Sequence, residues 1–265
     1  MGKNIIYRCL LLGFLLSGHW VIGFSQDEFP NYKYEQYDYQ NNILNYRVLY
    51  PSDFDDTQTY PLLLFLHGMG ERGSDNETQL THGARLLEDS ISRYPAIVLF
   101  PQCPETDYWA NLSRPDRGGA SRKFTFHTDD APNPSMAAVI SLIDEYLDRD
   151  YIDDSRFYVS GLSMGGMGVW ELLWRIPEKI AAAAPICGGG PPKKGKEMTE
   201  VPIWIFHGAK DNVVNPSMSL RMLESVQFAG GKARLTMYPE VQHNAWDYTF
   251  QEPDFLFWLF SKRKN

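Results

Sequence analysis

The stretch Arg156-Phe-Tyr-Val-Ser-Gly-Leu-Ser-Met-Gly-Gly-Met-Gly-Val-Trp170 decides the fold of this chain. Phe157 to Ser160 is a short β-branched and aromatic run with the character of a buried strand, and Met164 to Trp174 reads as a helix. Between them stands Gly161-Leu-Ser163-Met-Gly165, the G-x-S-x-G pattern of a sharp strand-to-helix turn that holds a serine hydroxyl clear of a sheet. The glycines let strand and helix approach where a Cβ would stand between them. The first helical turn also presents N–H groups and the positive end of its dipole beside the hydroxyl, where an anion forming on a substrate would lie. The same five residues fit a plain Gly/Ser-rich turn, so the surroundings decide.

Residues 61–66 and 96–100 are continuous apolar runs, as central parallel strands covered on both faces require. Residues 157–160, 181–186, 203–206 and 233–238 extend the series, and 45–50, alternating and closed by Pro51, reads as an early antiparallel strand. The clearest helix starts at the cap Asn133-Pro134 and carries Met136, Val139, Ile140, Ile143 and Leu147 on one face. Others are predicted over 164–175, 216–228 and 253–261. This alternation predicts an α/β fold, a mostly parallel central sheet flanked by helices. Ligands of such sheets sit beyond the carboxyl ends of the strands. There the chain places His67-Gly-Met-Gly70, Ser163, Asp211 and His243. Ser, Asp, His is also the chain order of α/β hydrolases.

The chain has 265 residues and a formal net charge of -8, with no basic face, which argues against nucleic acid as a partner. Residues 1–25 read as a signal peptide: Lys3 and Arg8 precede the apolar run from Cys9 to Leu16, and Gly23-Phe24-Ser25 offers small residues for cleavage before Gln26. Ser17, Gly18 and His19 interrupt the run short of the ~20 residues a membrane span needs. Residues 26–265 are then an exported catalytic domain, periplasmic or extracellular, with no stable membrane insertion. Cys103 and Cys187 end strands that two others separate, beyond the ~7 Å a disulfide allows between Cα atoms, so two free, buried thiols are expected.

Six segments carry a resemblance to a known family: Leu64-Phe-Leu-His-Gly-Met-Gly-Glu-Arg-Gly-Ser-Asp-Asn76, Pro101-Gln-Cys-Pro104 with Trp109, Ile152-Asp-Asp-Ser-Arg-Phe-Tyr-Val-Ser-Gly-Leu-Ser-Met-Gly-Gly166, Ala184-Pro-Ile-Cys-Gly-Gly-Gly190, His207-Gly-Ala-Lys-Asp211 and His243-Asn-Ala-Trp246. The chain resembles secreted bacterial α/β-hydrolase carboxylesterases of the phospholipase/carboxylesterase type, some described as peptidases. It is more distantly similar to feruloyl and acetylxylan esterases and polyhydroxybutyrate depolymerases. The resemblance implies a serine esterase with Ser163 as nucleophile, His243 as general base and Asp211 orienting the imidazole. Asp247 and Asp254 are weaker acids because they follow the histidine. Met164 supplies one oxyanion N–H, and Met69 is chosen for the other by similarity to relatives with His-Gly-x there, with Gly68 and Gly70 in competition.

No metal or organic cofactor is implied, since His67 and His207 read as turn residues and His82 and His127 lack metal-ligand spacing. Residues 188–200 leave no room for a large cap domain, so the site is expected to be open to a small-molecule or polysaccharide-linked ester. The long stretch 103–131, with Tyr108, Trp109, Arg114, Arg117, Arg122 and Lys123, is expected to border it. Gln102, Trp109 and Trp246 are the substrate-binding candidates. The two indoles either wall an acyl pocket and stack on a sugar or aromatic acid, or anchor their loops. Asn76-Glu-Thr78 and Asn111-Leu-Ser113 match a glycosylation pattern. A serine peptidase and a lysophospholipase or thioesterase share the chemistry and stay open as alternatives.

Overall fold

The computed structural model describes residues 28–114 and 124–264, so the expected signal peptide and Arg117, Arg122 and Lys123 lie outside the described residues. The strands are β1 (Tyr32–Tyr39), β2 (Asn42–Leu49), β3 (Tyr60–Leu66), β4 (Ile97–Pro101), β5 (Leu112–Ser113), β6 (Thr125–Phe126), β7 (Ile152–Leu162), β8 (Ala182–Ile186), β9 (Ile203–Gly208) and β10 (Ala233–Tyr238). The helices are α1 (Ala84–Ser90), α2 (Pro134–Leu147), α3 (Met164–Arg175), α4 (Ser217–Phe228), α5 (Ala245–Thr249) and α6 (Phe255–Phe260). Eight strands form one sheet in the order β1-β2-β4-β3-β7-β8-β9-β10. From β4 to β10 every neighbour is parallel, and β1 and β2 add an antiparallel hairpin at one edge.

The two-residue period of β3 sorts its apolar run onto both faces. Leu62, Leu64 and Leu66 join a core with α2, α3 and α4, whereas Leu63 and Phe65 join a second core with α1, α5 and α6. Such strands must be apolar throughout, and β3, β4, β8 and β9 are buried almost end to end. Asn133 caps α2 by accepting from the Met136 N–H at 3.0 Å, with Pro134 at the first helical position.

Strand β1 and helices α1 and α5 are elements that sequence reading passes over. Strand β1 is exposed along most of its length and offers no buried run, and α1 and α5 are too short to show a period. Stretch 103–131, read as aperiodic, contains the small β5–β6 ribbon. Cys103 and Cys187 are free and buried, at the ends of β4 and β8 with β3 and β7 between them. The Asn76 glycosylation pattern is overturned: Asn76 is buried, and its Nδ2 donates to Glu35 O and Tyr46 O.

What sets the distance between α3 and the sheet is Gly165. A Cβ there would lie 1.9 Å from the Leu66 carbonyl oxygen, a backbone atom that cannot step aside. Gly165→Ala is expected to lower stability by at least ~3 kcal/mol, which shifts Tm by ~6 °C or more in a domain of this size. Gly70→Ala, where a Cβ meets nothing within 4 Å, should stay within about 0.5 kcal/mol of the parent. Thermal denaturation of the pair checks both, and equal midpoints would show that α3 can withdraw from β3 freely.

Candidate active site

The elbow is strained. Ser163 sits at φ 54, ψ -114, between the end of β7 and the start of α3, with its N–H donating to Ile186 O at 2.9 Å. A non-glycine residue holds positive φ only where its surroundings dictate it. Here β3, β8 and the close approach at Gly165 do so, and the side chain is thrown out at the carboxyl end of the sheet.

Strand ends β9 and β10 deliver the other two residues. The His243 Nδ1–H donates to Asp211 Oδ2 at 2.7 Å, and the Ser163 hydroxyl donates to His243 Nε2 at 2.9 Å. Asp211 Oδ1 accepts from the N–H groups of Val213 (2.8 Å) and Val214 (2.9 Å), and Oδ2 also lies 3.1 Å from His207 Nε2. Burial would raise the Asp211 carboxyl, but the hydrogen bonds from His207, His243 and the Val214 N–H, with the attraction of an imidazolium at His243 whenever one forms, outweigh it and hold it well below the usual carboxylate range. An acid this firmly ionised orients and stabilises an imidazolium without taking its proton.

His207 is thus more than a turn residue. It is fully buried, reaches Ser219 Oγ with Nδ1 (2.7 Å), and places Nε2 against both Asp211 and Val214 O (3.0 Å). The signal for it was the spacing His207-x-x-x-Asp211 at a strand end. Arg72 was missed as well. Its guanidinium donates to the carbonyls of Met69 (3.2 Å), Glu105 (2.7 Å) and Asp107 (3.2 Å), which braces the turn after β3. Cys187 Sγ and donor atoms of Asp211 and His243 lie within 4.8 Å of one another, but burial pushes the thiol up and the other two are committed to each other.

Met69 opens a 3-10 turn after β3, and Met164 opens α3. Both line one apolar cleft with Ser163, together with Tyr108, Leu112, Arg114, Phe124, Met167, Val213 and Val214. Its volume is about 40 Å³. Stretch 103–131 therefore borders the serine, through Tyr108, Leu112, Arg114 and Phe124.

Two substrate-binding expectations are corrected. Trp109 has no exposed surface: its Nε1–H donates to His67 O at 3.1 Å and its Cβ lies where a Cβ on Gly168 of α3 would collide at 2.6 Å. It anchors the loop under the elbow helix. Gln102 is buried and staples the turn after β3, donating from Nε2 to Asp75 Oδ1 (2.9 Å) and Glu71 O (3.3 Å) and accepting from the Asn76 N–H (2.8 Å). Trp246 stays half-exposed, with its indole edge-on to the His243 ring at a centroid distance of 5.6 Å.

A predominantly parallel sheet with a serine at a strained strand-to-helix turn, and an aspartate and a histidine delivered by later strand ends, defines an α/β hydrolase. The phospholipase/carboxylesterase family model matches residues 55–254, and the chain belongs to that family. It is 31% identical over 156 residues to a bifunctional acetylxylan esterase/xylanase of Neocallimastix patriciarum, spanning 58% of this chain and 20% of that protein. It is 26% identical over 205 residues to acyl-protein thioesterase 1 of Debaryomyces hansenii, covering 69% of this chain and 84% of the relative. Among solved structures a thermostable esterase superposes with a TM-score of 0.77 at 32% identity, over 88% of this chain and 63% of that one. The chain thus spans less than two thirds of the acetylxylan esterase/xylanase and of the thermostable esterase.

His67 links the site to acid stability. It is buried, its Nδ1–H donates to Gly68 O (2.6 Å) and its Nε2 accepts from the Cys103 N–H (3.0 Å), so the ring is neutral and burial pushes its pKa down to about 4. The unfolded chain protonates this residue below pH ~6.5, the folded chain only near 4. Its stabilising contribution is therefore complete above ~6.5 and is lost as pH falls, by ~3 kcal/mol across the interval. Urea midpoints at about pH 7 and about pH 4.5 should drop less in His67→Gln than in the parent. An equal drop would assign the acid sensitivity to other groups.

Proposed function

We propose that the chain is an exported serine carboxylesterase that removes short acyl groups, acetyl foremost, from polysaccharide-linked esters through a covalent acyl-enzyme. The Asp211–His243–Ser163 relay, with distances of 2.7 and 2.9 Å, is the observation that carries this reading. His243 takes the Ser163 proton as Oγ attacks the ester carbonyl. The N–H groups of Met69 and Met164 stabilise the tetrahedral oxyanion. On collapse the C–O bond to the alcohol breaks, and His243 returns the proton to the departing oxygen. A water, deprotonated by His243 in turn, then attacks the acyl-Ser163 carbonyl; the bond to Oγ breaks, His243 returns the proton to Oγ and the acid leaves.

The cleft volume supports the acyl size. About 40 Å³ is far below the ~150 Å³ of a cavity that holds benzene, so it suits an acetyl methyl better than a feruloyl ring. The aromatic-acyl expectation took Trp109 and Trp246 as walls, whereas Trp109 is buried and Trp246 does not line the cleft. The similarity to an acetylxylan esterase fits the same direction. Export rests on Lys3, Arg8 and the apolar run that follows. Among the described residues no helix is long and apolar enough to cross a membrane.

Ser163→Ala is expected to lower kcat by ~10⁶ with an unchanged Tm, and a fluorophosphonate probe to label Ser163. Asp211→Asn should cost ~10⁴ in kcat by mis-setting the His243 tautomer. Retention of a tenth of the activity would assign the orienting acid elsewhere. Across p-nitrophenyl esters, kcat/KM for acetate should exceed that for octanoate by about tenfold or more, the discrimination a hydrophobic pocket exerts over even one methylene that it cannot seat. The reverse order would favour the lysophospholipase or thioesterase alternative.

A further inference from the structure

We propose that Glu71, His82 and Trp246 form a subsite for the sugar that carries the ester oxygen, an inference that rests on the esterase reading above. His243 hands its proton to the departing alcohol, so that alcohol must lie beside the imidazole. The ring packed edge-on to the imidazole is the partly buried Trp246, at 5.6 Å, and none of Glu71, His82 and Trp246 lines the apolar cleft proposed for the acyl group. The His82 ring packs on the same indole at 5.1 Å, tilted by 44°. Next to it stands Glu71, whose Oε1 is 3.8 Å from His82 Nε2.

Those two atoms are too far apart to be hydrogen-bonded to each other. A single hydroxyl can lie ~2.8 Å from both, donating to the carboxylate and accepting from the imidazole N–H. Glu71 Oε2 is turned inward towards Gly68, without a hydrogen-bond partner among the described residues, so Oε1 beside His82 is the oxygen offered to a ligand. Both side chains are partly open, at 30% for His82 and 14% for Glu71. The open part of a partly buried indole, with an adjacent carboxylate and imidazole, matches a sugar ring, whose C–H surface is apolar and whose rim carries hydroxyls. Because Glu71 closes the 3-10 turn that Met69 opens, the subsite is tied to the oxyanion turn by two covalent steps.

The test compares kcat/KM on an acetylated xylo-oligosaccharide with that on p-nitrophenyl acetate, whose alcohol has no further hydroxyl. Glu71→Gln should lower the ratio of the two values by about tenfold or more, the weakening of a hydrogen bond to a charged group, and His82→Leu by about threefold or more, the loss of one neutral hydrogen bond. Trp246→Ala should lower it as well, and Trp246→Phe should restore it in part. In Ser163→Ala, titration with unacetylated xylotriose should shift resonances of labelled Trp246, and His82→Leu should remove the shift. Equal losses on both esters, or no shift with xylotriose, would overturn the subsite while leaving the esterase reading intact. Failure of the parent on p-nitrophenyl acetate would instead sink the esterase reading itself.

Discussion

The close approach of Gly165 to the Leu66 carbonyl is the constraint on which the rest depends. It presses the first turn of α3 against the end of β3, and so brings two otherwise unrelated segments side by side: the serine elbow and the turn that opens at Met69. Without that approach the hydroxyl and the proposed second oxyanion donor would belong to different regions of the surface. The same pressure accounts for the positive φ of Ser163, because the chain must reverse within one residue between a strand and a helix that nearly touch. Arg72 and Gln102 then hold the other side of the approach in place, by tying the β3 turn to the loop after β4.

Asp211 shows how a buried charge is made tolerable. Two backbone N–H groups and two histidines surround a carboxylate that water hardly reaches. Buried ions are stable only when donors replace their hydration. A carboxylate with both oxygens engaged cannot wander, and under the proposed mechanism it is not free to accept the proton that would pass between Ser163 and a substrate. His207 contributes to this from behind, where it never meets the substrate.

Much of the fold was legible because double-sided burial writes itself plainly. Strands β3, β4, β8 and β9 are apolar runs of five to seven residues that no surface segment would carry. Ser163, Asp211 and His243 could be placed since each follows a strand end, although of the three strands only β9, before Asp211, is buried throughout. The indoles were different. Both were read as loop residues, yet Trp109 is a fully buried loop residue and Trp246 a partly buried residue of the short helix α5, and only the path of the loop past Gly168 seals the first. Gln102 failed for the same reason: loop polarity says that a side chain will find partners, without saying whether these are ligand atoms or the neighbouring turn. Strand β1 escaped notice since an exposed edge asks little of its sequence.

Three of the side chains that wall the apolar cleft beside Ser163 are thioethers, from Met69, Met164 and Met167. Methionine is unbranched, polarizable and turns easily about its side-chain bonds, so it repacks around what it encloses at little cost. That part of the wall measures its contents by bulk more than by contour. Branched and linear acyl groups of equal volume would be near equivalents to it, and discrimination among substrates of one size would have to come from the alcohol.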